Sequence, residues 1–146
     1  MLVLVDTNVV LRIVETGHPH HQAAADSMRK IRQRGDTLCL LPQVHYEFWV
    51  AATRPVANNG LGLSSSDALA ELKQLGPPLF RFLKDERAIY QAWLGVIGTH
   101  SVQGKAAHDA RLVAAMERHG VTHLLTFNTE DFVRYRHLTV LDPQTV

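Results

Sequence analysis

Short apolar runs alternate along this chain with longer segments in which apolar residues recur every three or four positions. Leu2 to Val5 is an unbroken apolar run of strand length, and Asp6 stands where that strand must end. Thr7 and Asn8 are both helix-capping types, and Val9, Val10, Leu11, Ile13 and Val14 then supply apolar helix positions. Thr16-Gly17-His18-Pro19 reads as a turn. The helix after it runs to about Arg34, with Ala24, Met28 and Ile31 on one face and Gly35 as its stop. Thr37 to Leu41 is a second strand. Pro42 suits the first position of a helix reaching about Thr53, whose apolar face is Val44, Phe48 and Ala51. Pro, Asn and Gly make 54–62 a loop, and Ser64 to Asp67 caps a helix carrying Leu69, Leu72 and Leu75. Leu79 to Leu83 reads as a strand, Asp85 as the start of a helix with Ile89, Trp93 and Ile97, and 98–104 as a flexible connection. The last long helix spans about Lys105 to His119, its stripe formed by Ala106, Leu112, Val113 and Met116, and stops at Gly120. His123 to Phe127 and Leu138 to Leu141 are the fourth and fifth strands. Strands alternating with helices predict an α/β fold of three layers, a parallel sheet covered on both faces. With no repeat or linker, residues 1–146 read as one domain.

Composition narrows the picture without deciding it. The 146 residues are 46% hydrophobic, enough for a real core. Fifteen Lys and Arg against fourteen Asp and Glu leave a net charge of +1, so any basic footprint for nucleic acid must be local. Cys39 is the only cysteine, which rules out an internal disulfide and a thiolate-rich zinc site. Its apolar neighbours make it a small core residue. No apolar stretch is long enough to span a bilayer, and Asp6 interrupts anything resembling a signal peptide, so the chain reads as soluble and cytoplasmic.

The candidate chemistry lies in four misplaced acids. Asp6 sits at a strand end, where α/β sheets bind ligands. Glu47 and Asp109 fall on core-facing helix stripes, where a carboxylate is costly unless paired or metal-bound, and Asp131 lies just past the fourth strand. Four carboxylates meeting in one crevice raise each other's pKa and call for a counterion. A hard dication such as Mg²⁺, with Mn²⁺ as the alternative, takes oxygen ligands, keeps waters and is equipped for phosphodiester chemistry.

The combination LVLVDTNVV, then Glu47 in the helix after the second strand, then AAHDARLVAA, then LLTFNTEDF resembles a PIN-domain ribonuclease. Within that family it is most similar to the VapC toxins of bacterial type II toxin–antitoxin systems. The resemblance covers essentially the whole chain. It implies a five-stranded sheet ordered 3-2-1-4-5, a Mg²⁺-dependent endoribonuclease acting on RNA, a homodimer, and an antitoxin partner that blocks the site. Position by position, it implies that Asp6 and Asp109 are the principal metal ligands and that Glu47 orients or deprotonates the attacking water. It makes Asp131 a more variable acid helping to hold a second ion or its waters. Thr7 and Thr126 become supporting hydrogen-bonders. Asn128 stands where some members carry another Asp; it can bond a metal water but adds no charge. The resemblance further implies water, not the RNA 2′-hydroxyl, as nucleophile, leaving a 5′-phosphate and a 3′-hydroxyl.

Other readings fare less well. His45-Tyr46-Glu47 has the His-x-Glu of zinc deaminases, but one cysteine cannot supply their Pro-Cys-x-x-Cys. A phosphorelay receiver needs an acidic pair after its first strand and a lysine after its fifth, and both are missing. His18, His20 and His21 lie at a turn with only Asp26 nearby, too little for a metal site. The competing class is a catalytically silent PIN-like module that binds RNA or protein, its acids acting merely as caps. Lys105, Arg12, Arg54 and Arg111 are candidate phosphate contacts, though solvated basic side chains explain each as simply.

Overall fold

In the computed structural model, which describes residues 1–146, the first apolar run becomes the middle of the molecule. That run, β1 (Leu2–Val5), is flanked in a parallel sheet by β2 (Thr37–Leu40) on one side and β4 (His123–Leu125) on the other. β3 (Arg81–Phe82) and β5 (Thr139–Leu141) close the two edges, giving the order 3-2-1-4-5 that the resemblance implies. Leu4 lies opposite Cys39 on one neighbour and Leu124 on the other. Val3, Leu4 and Val5 are all buried, as are Leu38, Cys39 and Leu40. Since consecutive strand residues face opposite ways, burial of every one requires cover on both faces, and the three layers follow.

The cover is six helices: α1 (Thr7–Val14), α2 (His21–Gln33), α3 (Pro42–Thr53), α4 (Ser65–Gln74), α5 (Ala88–Thr99) and α6 (Ala106–His119). Their punctuation is largely what local chemistry dictates. Pro42 opens α3, the Ser64 hydroxyl accepts from the Asp67 amide at the start of α4, and Gly120 takes a left-handed conformation to end α6. None of them is long and apolar enough to cross a membrane.

Several expectations shift. The buried stripe of α3 is Val44, Phe48 and Ala52, with Ala51 only half-buried, so Glu47 flanks the stripe instead of lying within it. β3 keeps two residues of the five expected, because an edge strand has one pairing neighbour; the buried residues there are the flanking Phe80 and Leu83. Leu69 of α4 is exposed, and α5 begins at Ala88 rather than at Asp85. β4 stops at Leu125, two residues short, and the chain turns away through Thr126 and Phe127.

The loop after α3 has a structural task. Its Leu61 and Leu63 amides donate to the carbonyls of Ala51 and Ala52, so the returning chain satisfies orphan acceptors at the helix end. Gly60 lies so close to Arg54 that a Cβ there would meet the Arg54 carbonyl oxygen at 1.9 Å. Only glycine fits this turn.

Candidate active site

From β1 the chain moves to β2 on one side, yet β4 occupies the other side. The carboxyl ends of β1 and β4 therefore flank a topological switch point, where open α/β sheets form their ligand crevices. Asp6 is the residue after β1 and Thr126 the residue after β4. Their backbones are tied at this level, for the Asp6 amide donates to the Leu125 carbonyl at 3.0 Å.

Asp6 is buried and fully engaged. One carboxylate oxygen accepts the Thr7 amide at 2.7 Å; the other accepts the Thr126 hydroxyl at 2.7 Å and the Asn8 amide nitrogen at 3.0 Å. The Thr126 hydroxyl itself accepts from the Asn8 side chain and from the Asn128 amide, which leaves its proton directed at Asp6. The Asn8 side-chain oxygen accepts from the Phe127 amide at 3.0 Å. Burial pushes the Asp6 carboxyl up to about 6 against the pull of these hydrogen bonds, and the Glu47 charge adds to the rise.

Glu47 reaches the same crevice from α3. Its two oxygens accept from the Thr7 hydroxyl at 2.7 Å and from Gln43 Nε2 at 2.9 Å. Gln43 lies one turn earlier on α3, and its Nε2 also donates to the His108 carbonyl at 2.8 Å, linking α3 to the first turn of α6. That turn carries Asp109. Its carboxylate accepts no protein hydrogen bond and is pushed up to about 6, first by burial and then by the charges of Asp6, Asp131 and Glu47. Asp131 comes from a single 3₁₀ turn, Thr129–Phe132, and its side chain is exposed. The Asn128 side chain is likewise exposed and makes no protein contact through its amide; what it contributes is its backbone N–H to Thr126.

All four predicted acids thus act electrostatically on one centre, and none is paired with a lysine, arginine or histidine. As they stand, no three are gathered tightly enough to chelate an ion. The donor set is nevertheless that of a hard dication: oxygen ligands only, like charges raising one another, and two carboxylates (Asp109 and Asp131) with no protein hydrogen bond to break. Two members of the network escaped sequence reasoning. Asn8 reads from sequence only as a cap, though a polar amide two residues after Asp6 in an apolar run is a usable signal. Gln43 has one as well, lying one helical turn before Glu47.

Comparison with known proteins agrees with this architecture. Residues 3–138 match the PIN domain family. Among solved structures, VapBC2 of Rickettsia felis, bound to a DNA fragment from the promoter, superposes with a TM-score of 0.73 at 11% identity, covering 97% of this chain and 98% of that one. VapBC-1 of nontypeable Haemophilus influenzae gives 0.68 at 15% identity, with 99% and 100% covered. VapC20 of Mycobacterium tuberculosis, described as a sarcin–ricin-loop-cleaving toxin, gives 0.59 at 16% identity, with 84% and 86% covered. At these identities the superpositions speak to fold alone. No curated protein matches the chain in sequence. With a family match over residues 3–138 and a parallel sheet ordered 3-2-1-4-5, the chain belongs to the PIN domain family.

Proposed function

We propose that this protein is a Mg²⁺-dependent endoribonuclease of the VapC toxin kind, held in check by an antitoxin protein. The observation that carries the reading is the acid cluster at Asp109, where three further carboxylates bear on one half-buried acid, opposed only by His108, and none of the four acids is in an ion pair. Family membership and the VapBC neighbours support it. The homodimer that the resemblance implies belongs to the same proposal; Tyr90 and Leu94, one turn apart on α5, leave apolar surface for it.

Asp6 and Asp109 would hold the ion, with Asp131 assisting through water. Bound there, Mg²⁺ or Mn²⁺ would supply charge neutralisation at the phosphate and a more acidic water. The chain's own residues do the rest. Thr7 and Gln43 fix both oxygens of Glu47, leaving each a free lone pair with which to orient the attacking water and take its proton. Thr126 and Asn8 fix the rotamer of Asp6, so the ligand oxygen is presented without reorganisation. Asn128 lies at the rim, where its exposed amide reaches solvent or substrate. In-line attack by water leaves a 5′-phosphate and a 3′-hydroxyl.

A silent binding module is the second reading, and the protein-satisfied carboxylates of Asp6 and Glu47 are what favour it. Incubation with single-stranded RNA separates the two. We expect cleavage with added Mg²⁺ or Mn²⁺, none in EDTA, and a loss of about a hundredfold or more in Asp109→Asn and Glu47→Gln without loss of fold. Products ending in a 2′,3′-cyclic phosphate would overturn the mechanism, variants that cut as well as the parent would overturn the roles given to Glu47 and Asp109, and a parent that cuts with neither ion would leave the module reading standing.

A further inference from the structure

Beside the carboxylates, along the outer side of α3, opens a cavity of about 450 Å³. Its wall includes Glu47, with Tyr46, Val50 and Arg54 from α3 and its C-terminal cap, and His108 and Arg111 from α6. Glu47 is the one acid in this lining, against two arginines. Arg54 pairs with no carboxylate; its guanidinium makes a single long bond, 3.4 Å, to the Asn59 carbonyl. Arg111 is held in place by Asp85 at 3.0 Å and by the Gln43 oxygen at 3.3 Å. Tyr46 and Val50, one helical turn apart, are 64% and 58% exposed, so an aromatic ring and an aliphatic neighbour stand open to an incoming flat group.

This pairing of an open aromatic ring with cations is the composition of a single-strand nucleic-acid subsite, in which bases stack on rings and phosphates meet arginine. Glu47 belongs both to the cavity wall and to the acid crevice, so the cavity adjoins the place where a phosphate would meet the carboxylates. We propose that the α3 groove seats the nucleotide next to the scissile phosphate, its base stacked on Tyr46 and its outer phosphate met by Arg54 and Arg111. The assignment rests on the nuclease reading above for its direction along the strand. The charge balance favours RNA over a protein segment: a polyanion gains from both arginines, whereas a peptide needs its own acids at matching places.

The test uses the full chain and a fluorescein-labelled single-stranded RNA oligonucleotide of mixed sequence. Fluorescence anisotropy is read in the cleavage-deficient Asp109→Asn background, and steady-state cleavage with Mg²⁺ in the parent background. We expect Tyr46→Ala to weaken binding about tenfold or more and Tyr46→Phe to restore it, since the ring and not the hydroxyl stacks. In cleavage the same pair should move KM and leave kcat in place. Arg54→Gln should lower the slope of log affinity against log salt by about one. Unchanged affinity in Tyr46→Ala, an unchanged salt slope in Arg54→Gln, or no saturable binding by the parent overturns the proposal and leaves the groove to a protein segment. Binding that depends on Tyr46 in a protein that never cuts RNA would sustain the groove while removing the nuclease reading, so the two fail separately.

Discussion

Asp6 and Asp109 share a raised pKa but differ in how they are held. Asp6 has three protein donors at its carboxylate, and an amide in its place would set its nitrogen either against the Thr7 N–H or against the Asn8 and Thr126 donors. Asp109 has none, so Asp109→Asn removes charge with little disturbance of the hydrogen-bond network. Its folded pKa, about 6, lies above the ordinary 3.8, so between those values the folded state binds more protons than the unfolded state. Stability must then fall as pH rises through that window, and the cost is fully developed above about pH 6. In EDTA, Asp109→Asn should therefore be more stable than the parent at pH 7.5, with the gap closing toward pH 4. We expect a gap of about 1 kcal/mol, well below full conversion of the shift because the carboxylate is half solvated. Urea titrations of both proteins at the two pH values check this. A gap independent of pH would mean that neither burial nor the neighbouring acids raise the Asp109 carboxyl in solution.

At the scale of elements, α3 carries the most. It supplies Glu47 and Gln43 to the crevice and Tyr46 to the groove, and the loop that follows seals its C-terminus. The seal depends on Gly60, whose backbone lies against that of Arg54. A methyl group there cannot be absorbed by a flexible side chain, because the clashing atoms are main-chain carbon and oxygen. Gly60→Ala should lower stability by about 1–3 kcal/mol through a displaced loop and lost helix-end hydrogen bonds. It should also weaken RNA binding, since Arg54 moves with the loop. Thermal denaturation read beside the anisotropy assay checks both outcomes. An unchanged midpoint would show that the loop is free to move away from α3.

Across the whole molecule, the crevice exists because β1 and β4 run side by side while the chain leaves them in opposite directions. Leu4 lies fully buried at the middle of β1, paired with Cys39 and Leu124 on either flank. Leu4→Ala should cost about 2–5 kcal/mol, at the upper end of single substitutions, because the parallel strands around it cannot collapse into the space. A denaturant midpoint that falls while the m-value holds is the expected signature. A loss under about 1 kcal/mol would place the core elsewhere.

How much of this was legible in the chain follows from the range of the interactions involved. The LVLV run, the proline opening α3 and the glycine closing α6 act within a few residues, and each element appears where they put it. The acids were legible too, as charges breaking an apolar pattern. The phase of α3 was not, for Ala51 and Ala52 are chemically alike and only the neighbouring layer decides which is buried. Nor could β3 be measured from its own residues, since an edge strand is as long as its single neighbour allows. The strand order came from resemblance alone, because local patterning cannot say which strands pair. Sequence by itself determined the elements and the inventory of charge, both of which reside in short stretches of chain. Tertiary structure decided that residues 6, 47, 109 and 131 share one field, that Asn8 and Gln43 hold two of those acids, and that Tyr46 and Arg54 line a groove beside them. The shared field joins residues far apart in the chain, and even the short-range pairs are fixed by distant partners, Asn8 by Thr126 and Phe127 and Gln43 by His108, which arrive only once the sheet is closed.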